Sequence, residues 1–298
     1  MKRVLVTGGA GFIGKHLVRE LQRRGCNPII VDNLKRSVKP DFADFIKGDI
    51  RDQAFMRAAS HDVDTVFHLA AQSSVLGATA ESEYSHTTNV GGTLAVLEAA
   101  RAQSVRRVVF TSSREVYGDV QDLPICEDAP LKPKNAYGAS KAAAEMYCGI
   151  FPELEVVVLR LANVYGPGDA GRVVPLFVSA ALQNRPIVIY GEGKVLDLVW
   201  IEDVVAAICN ASPLPVASET INIGAGGSVT LQELAARTIA LTGSSSQIIL
   251  APKRVIEVDR YCAEITRAKR LLDYHPNPEP LYGLEQVIHE LQAGLRRR

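Results

Sequence analysis

Cysteine is scarce in this chain, five residues in 298, and the five (Cys26, Cys126, Cys148, Cys209 and Cys262) stand far apart. No CxxC pair occurs, so no metal site is implied, and an odd number of scattered thiols fits a reducing compartment. A surplus of either charge is also missing, since 33 Lys and Arg balance 33 Asp and Glu. Without a basic excess no global field recruits a polyanion, which argues against nucleic acid as the main partner. There is no unbroken apolar stretch long enough to span a bilayer, and the opening MKRVLVTGGAGF is too short in its apolar run to serve as a secretion signal. The expectation is a cytoplasmic protein without membrane or nucleic-acid partners and without a metal.

What the chain does have is apolar residues, 47% of the total, enough for one large or two modest cores. Short β-branched runs alternate with segments of helical period: KRVLVT then FIGKHLVRELQRRG, PIIVD, DTVFHLA then NVGGTLAVLEAARAQ, RRVVFTS then YGASKAAAEMYCGIF, and EVVVLRLANV. Runs without polar alternation are buried on both faces, as in a parallel sheet covered by helices, so the pattern predicts a doubly wound α/β fold. From about residue 166 the rhythm loosens, with GPGDAGR, GEGK, GAGG and HPNPEP as punctuation. A smaller second unit is expected over 166–197 and 224–298. The segments DLVWIEDVVAAICN and TINIG, about 198–223, are expected to return to the first unit, 1–165, so the two interleave.

Thr7 to Gly14 reads TGGAGFIG, with Gly8, Gly11 and Gly14 between a strand and a helix. Glycine there permits a tight turn, close approach of a pyrophosphate to the backbone and packing of helix on strand. The next strand ends in Asp32, at the distance expected for an acid that accepts both hydroxyls of an adenosine ribose and repels a 2′-phosphate. This favours NAD over NADP, with Lys35 and Arg36 close behind moderating the preference. Tyr137 and Lys141, in YGASK, fall on one face of a helical stretch. A phenol beside an ammonium and the positive ring of NAD⁺ is favoured as phenolate, which can take a proton from a substrate hydroxyl.

In this setting the sequence resembles the extended short-chain dehydrogenase/reductases of the nucleotide-sugar epimerase and dehydratase group, and along nearly its full length it is similar to the UDP-glucose/UDP-galactose 4-epimerases. The residues that carry the resemblance are TGGAGFIG (7–14), Asp32 and Asn33, GDIRD (48–52), HLAAQSSV (68–75), Asn89 in TTNVGGT, TSSREVYG (111–118), YGASK (137–141) and RLANVYGPG (160–168). The resemblance implies a Rossmann-type sheet with a smaller C-terminal substrate domain, bound NAD, and a homodimer paired through helices near 84–103 and 136–150. It implies that Gly8, Gly11, Phe12, Ile13 and Gly14 hold the pyrophosphate, Asp32 and Asn33 the ribose, and Asp49 with Ile50 the adenine. Leu69, Ala70, Ala71, Gln72, Asn89 and Ser112 would complete the cofactor site. Tyr137 and Lys141 would be base and orienting cation, Ser113 a proton relay, and Asn163, Arg172, Val174 and Arg254 contacts to a nucleotide-diphosphate sugar.

Two positions depart from that pattern. Dehydratases of this kind follow the hydroxyl residue with Asp-Glu, whereas this chain has Arg114 and Glu115. A guanidinium with a pKa above 12 cannot protonate a leaving hydroxyl, so ordinary 4,6-dehydration is disfavoured. Arg114 is expected to face outward or to touch a polar loop, the alternative being a contact to a sugar carboxylate. Glu115 is a candidate second acid/base. Leu196 stands where relatives carry a phosphate-binding arginine, leaving Arg254, with Lys194 as a substitute. The leading expectation is 4-epimerisation through a 4-keto sugar. Dehydration or uronate decarboxylation using Glu115 comes next, then net oxidoreduction with free NAD(P)H. A non-catalytic NAD-binding regulator is the reading from another class.

Overall fold

The computed structural model describes residues 2–42, 44–215 and 218–296. From the N-terminus the elements are β1 (Arg3–Thr7), α1 (Phe12–Arg23), β2 (Asn27–Asp32), β3 (Phe45–Lys47), α2 (Gln53–Ala59), β4 (Thr65–His68), α3 (Val75–Ala80) and α4 (Ser82–His86). A π-helical turn then leads into α5 (Thr93–Ala102), followed by β5 (Arg107–Ser113), α6 (Ala136–Cys148), β6 (Glu155–Leu161) and β7 (Asn163–Tyr165). The remainder is α7 (Val173–Leu182), β8 (Ile187–Tyr190), β9 (Val195–Leu196), β10 (Leu198–Trp200), α8 (Ile201–Ala211), β11 (Glu219–Ile223), β12 (Val229–Thr230), α9 (Leu231–Thr242), β13 (Ile248–Ala251), α10 (Thr266–Leu272) and α11 (Leu284–Arg296).

Seven strands form one parallel sheet in the order β3-β2-β1-β4-β5-β6-β11. The chain winds outward from β1 in one direction and then from β4 in the other. The switch point therefore lies between β1 and β4, where ligands bind beyond the carboxyl ends of open α/β sheets. Every residue of β5 is buried, as a central strand covered on both faces requires. Alternate residues of β1 feed different cores. Val4 and Val6 pack with Leu17 and Val18 of α1 and Val204 and Ile208 of α8, while Leu5 packs with Met56, Val96 and Leu97 from α2 and α5.

The α1–α8 core does not stop at the sheet. It continues through Phe177, Leu198 and Trp200 into a region of three two-stranded pairings, β7 with β10, β9 with β12 and β8 with β13, carried on α7, α9 and α11. The return of the chain after residue 197 is divided. β10 pairs with β7 outside the main sheet, whereas α8 packs on α1 and β11 joins the sheet beside β6.

Candidate active site

A cleft of about 1600 Å³ opens at the carboxyl ends of the strands, between the sheet and the α7–α9–α11 region. Its floor is the glycine turn after β1. Gly8 has φ +72, and a Cβ there would lie 2.6 Å from the Ala70 backbone nitrogen; one on Gly14 would lie 2.3 Å from the Gly8 carbonyl oxygen. Any side chain at either position would push the helix off the strand or fill the turn. Gly11 caps α1 without a side chain, and the first turn of that helix carries no acid, so its leading amides are left for an external anion. Phe12 and Ile13 lie at the same end. These features fit a dinucleotide pyrophosphate.

Asp32 ends β2 and accepts hydrogen bonds from Leu34 N (2.8 Å), Ser37 Oγ (2.9 Å) and Ala10 N (3.2 Å). The carboxylate is thereby fixed at the mouth of the turn. Asn33 donates to Tyr84 Oη, and Lys35 Nζ lies 3.3 Å from the centre of the Tyr84 ring. Tyr84 lines the cleft and was not among the residues expected from sequence. Ile50, Leu69, Ala70, Ala71 and Ser112 also line it.

Three residues expected at the cofactor do not line the cleft. Asp49 is taken up by Arg51, with Nη2 2.8 Å from Oδ2 and Nε 2.9 Å from Oδ1, and that pairing holds its carboxyl down at about 2. Gln72 and Asn89 are buried behind the wall. Asn89 Oδ1 accepts from Gln72 N (2.7 Å), and its Nδ2 donates to Gln72 O (3.1 Å) and Ser140 Oγ (2.8 Å). Its amide is spent in tying the loop after β4 to α6.

β5 delivers Ser112 and Ser113, and α6 delivers Tyr137 and Lys141 opposite them. The start of α6 is fixed by Asn135, whose Oδ1 accepts from Gly138 N at 2.8 Å. Burial pushes Tyr137 up to about 12. A hydrogen bond with Ser113 opposes the rise, Glu115 adds to it, and the positive charges of Arg172 and Arg114 oppose it. Burial also brings Lys141 down to about 8, and its Nζ donates to the Thr111 carbonyl at 2.8 Å. Ser112 donates to Glu145, which in turn receives Arg160 Nη2 at 2.7 Å.

The expectation that Arg114 faces outward is corrected. A short 3-10 turn over Arg114–Val116 swings its side chain into the wall of the cleft, where it is 11% exposed. Its Nη2 pairs with Glu115 Oε1 at 2.9 Å, and the guanidinium carbon lies 5.7 Å from the centre of the Tyr261 ring. Glu115 is 4% exposed, and its other oxygen accepts from Asn135 Nδ2 at 2.7 Å.

Further along the cleft, Asn163, Val174, Leu196 and Arg254 line the wall, while Arg172, also a lining residue, stands over Phe12 at the start of α1. Arg254 lies over Tyr190 (3.6 Å to the ring centre) and pairs with Glu257 at 3.0 Å; Lys194 pairs with the same carboxylate. Arg172 pairs with Asp169 at 2.7 Å. Asp169 and Glu257 were not expected from sequence. Each stands three residues from its arginine, a spacing that marks an ion pair only once the intervening segment is known to turn.

The model of the family described as NAD dependent epimerase/dehydratase matches residues 4–224. A putative UDP-glucose 4-epimerase of Methanocaldococcus jannaschii is 35% identical, over 98% of this chain and 99% of that one. A UDP-N-acetyl-alpha-D-glucosaminuronate decarboxylase of Bacillus cytotoxicus is 34% identical, over 96% of this chain and 97% of that one. Among solved structures, the UDP-glucose 4-epimerase of Thermotoga maritima with UDP-glucose superposes with a TM-score of 0.93 at 33% identity, covering 98% of this chain and 99% of that one.

Proposed function

Because this chain belongs to the NAD dependent epimerase/dehydratase family, we propose that it inverts C4 of a nucleoside-diphosphate sugar, a UDP-sugar in the first instance, through a 4-keto intermediate. NAD, held by the glycine turn and Asp32, supplies the acceptor and donor of hydride when bound. Tyr137 as phenolate takes the proton of the C4 hydroxyl and later returns it, and Ser113, beside it, carries that proton between phenol and sugar. Lys141 holds a cation near the carboxyl end of β5, where it favours the phenolate.

The observation that carries this outcome is the state of Glu115. Both of its carboxylate oxygens are engaged, one by Arg114 and one by Asn135, and it is closed from solvent. Expelling water from a 4-keto sugar requires an acid for the leaving hydroxyl and a base for the C5 proton. Arg114 cannot act as the acid, and both oxygens of Glu115 are already bonded, so neither is left to take the C5 proton. The ketone is then left to turn over and be reduced on its other face. Decarboxylation of a uronate stays second, favoured by one feature: a guanidinium, Arg114, in the wall beside Tyr137. The Tyr137–Ser113–Lys141 set weighs against a non-catalytic regulator.

The same reading includes a cytoplasmic homodimer. The dimer is supported by the exposure of Met146 (67%) and Ile150 (63%) along and just after α6, an apolar surface suited to a second copy. The deciding experiment is incubation with UDP-, GDP-, CDP- and dTDP-sugars, including UDP-glucuronate, without added cofactor, followed by mass and NMR. Inversion at C4 with no change of mass is expected. Loss of water or of carbon dioxide would replace the epimerase reading.

A further inference from the structure

Arg172, expected from sequence to touch the sugar nucleotide, lies instead over the cofactor end of the cleft. It caps the start of α7, yet its guanidinium carbon is 5.3 Å from the centre of the Phe12 ring, and Phe12 is the first residue of α1. One edge of the guanidinium is fixed. Nη1 donates to Asp169 Oδ1 at 2.7 Å, and the Asp169 side chain is fully buried, so the anchor cannot swing. The arginine side chain as a whole is 42% exposed and lines the cleft.

The segment 166–172 that carries this pair is itself tied down on both sides. A ring nitrogen of His16, on α1, lies 2.9 Å from the Pro167 carbonyl oxygen, and Gly168 N donates to Glu290 of α11 at 2.9 Å. The Phe12 ring packs edge-on against His16 with 5.7 Å between centres. Phe12, His16, Pro167 and Arg172 thus close a bridge from the α7 region to the helix that follows the glycine turn. On one side of the bridge are the uncapped leading amides of α1; facing them is a pinned guanidinium with free donors. With no acid in the first turn of α1, and with the guanidinium bonded to Asp169 through Nη1 alone, both groups favour an anion in the gap.

We propose that the segment 166–172 is a latch over the cofactor, with Arg172 bonding the dinucleotide pyrophosphate from the side opposite the glycine turn. This goes beyond the proposed reaction and rests only on the chain's binding of NAD. To leave the cleft, the dinucleotide must pass this segment. A strap formed by the substrate-side region would slow that release without touching the reacting carbon.

The test is the rate at which bound NAD leaves the purified holoprotein, followed by exchange with isotopically labelled NAD in the absence of any nucleotide sugar. Arg172→Gln is expected to speed release about tenfold or more, the scale of one lost charge-assisted contact. His16→Ala, which removes the Pro167 tether and leaves the guanidinium in place, is expected to speed it in the same direction. UDP affinity of the NAD-loaded variants should stay within about twofold of the parent. An unchanged release rate in both variants would overturn the latch. So would unchanged release together with weakened UDP binding in Arg172→Gln, which would put the arginine on the substrate diphosphate. The readout does not involve turnover, so a failure of the epimerase reading leaves the latch standing, and the reverse holds too.

Discussion

Arg114 and Glu115 are neighbours in sequence and also an ion pair in space, Nη2 to Oε1 at 2.9 Å, set into the wall beside the phenol of Tyr137. The pair has opposite effects on that phenol: the arginine draws its pKa down and the glutamate pushes it up.

Replacing Arg114 by Met removes the downward influence and leaves Glu115 buried with one partner fewer. Tyr137 then holds its proton more tightly, so the fraction of phenolate at any given pH falls. The expected result is an activity profile whose rising limb moves to higher pH, with turnover at pH 7 reduced by less than about tenfold, since Arg114 is the weakest of the influences on the phenol. A profile superposable on the parent's would remove Arg114 from the electrostatics of the base.

Tyr137→Phe removes the proton acceptor while keeping the ring. Turnover should drop by about 10²- to 10⁴-fold. Bound NAD and affinity for UDP should be retained, since neither depends on the hydroxyl. The parent offers a spectroscopic check as well. Burial pushes Tyr137 up to about 12 in the absence of cofactor, so loading with NAD⁺, which adds a positive ring, should lower the pH at which tyrosinate absorbance appears. That shift should be missing from Tyr137→Phe. Equal titrations of apo- and holoprotein would contradict the assignment.

Arg160 and Glu145 form a buried pair, each side chain 7% exposed, with the guanidinium also donating to Tyr117 Oη and the Glu127 carbonyl at 2.8 Å. Glu145→Ala strands that guanidinium in a space built for its partner. A loss of about 3–5 kcal/mol is expected, read from denaturant midpoints at constant slope. A loss below about 1 kcal/mol would mean that water or a nearby carbonyl takes over the charge.

Asp32 is held by three donors at the tip of β2. Asp32→Ser takes away the charge that repels a 2′-phosphate and leaves Lys35 and Arg36 nearby. The ratio of NAD to NADP affinity should fall at least about tenfold, measured by equilibrium binding to apoprotein. An unchanged ratio would assign the discrimination to other residues.

The strands and the glycine turn could be read from the sequence because their causes are local. Valine-rich runs such as Val156–Val158 need burial on both faces, and the turn after β1 needs residues without Cβ. The Tyr137–Lys141 spacing was legible for the same reason, as a property of one helix. Arg114 was misjudged because its direction is set by a one-turn helix and by its pairing with Glu115, which Asn135 holds from another element. Asn89 has the same character: a polar residue in a helical segment gives no sign that its amide will be consumed by the backbone at Gln72. The placement of Arg172 over Phe12 depends on how the α7 region folds back on the sheet, which no local pattern encodes.

The seventh strand of the sheet, β11, pairs with β6 but is separated from it by the whole run from β7 to α8. During synthesis, β6 therefore emerges as an open edge carrying Val156, Val157, Val158 and Leu159, and it waits for its partner while some sixty residues are added. A chain stopped near residue 165 would keep that edge uncovered and would lack α8, which lies against α1. The dinucleotide half is therefore not expected to be a separable module. Cutting it free should yield a protein that associates through β6 instead of a soluble cofactor-binding fragment.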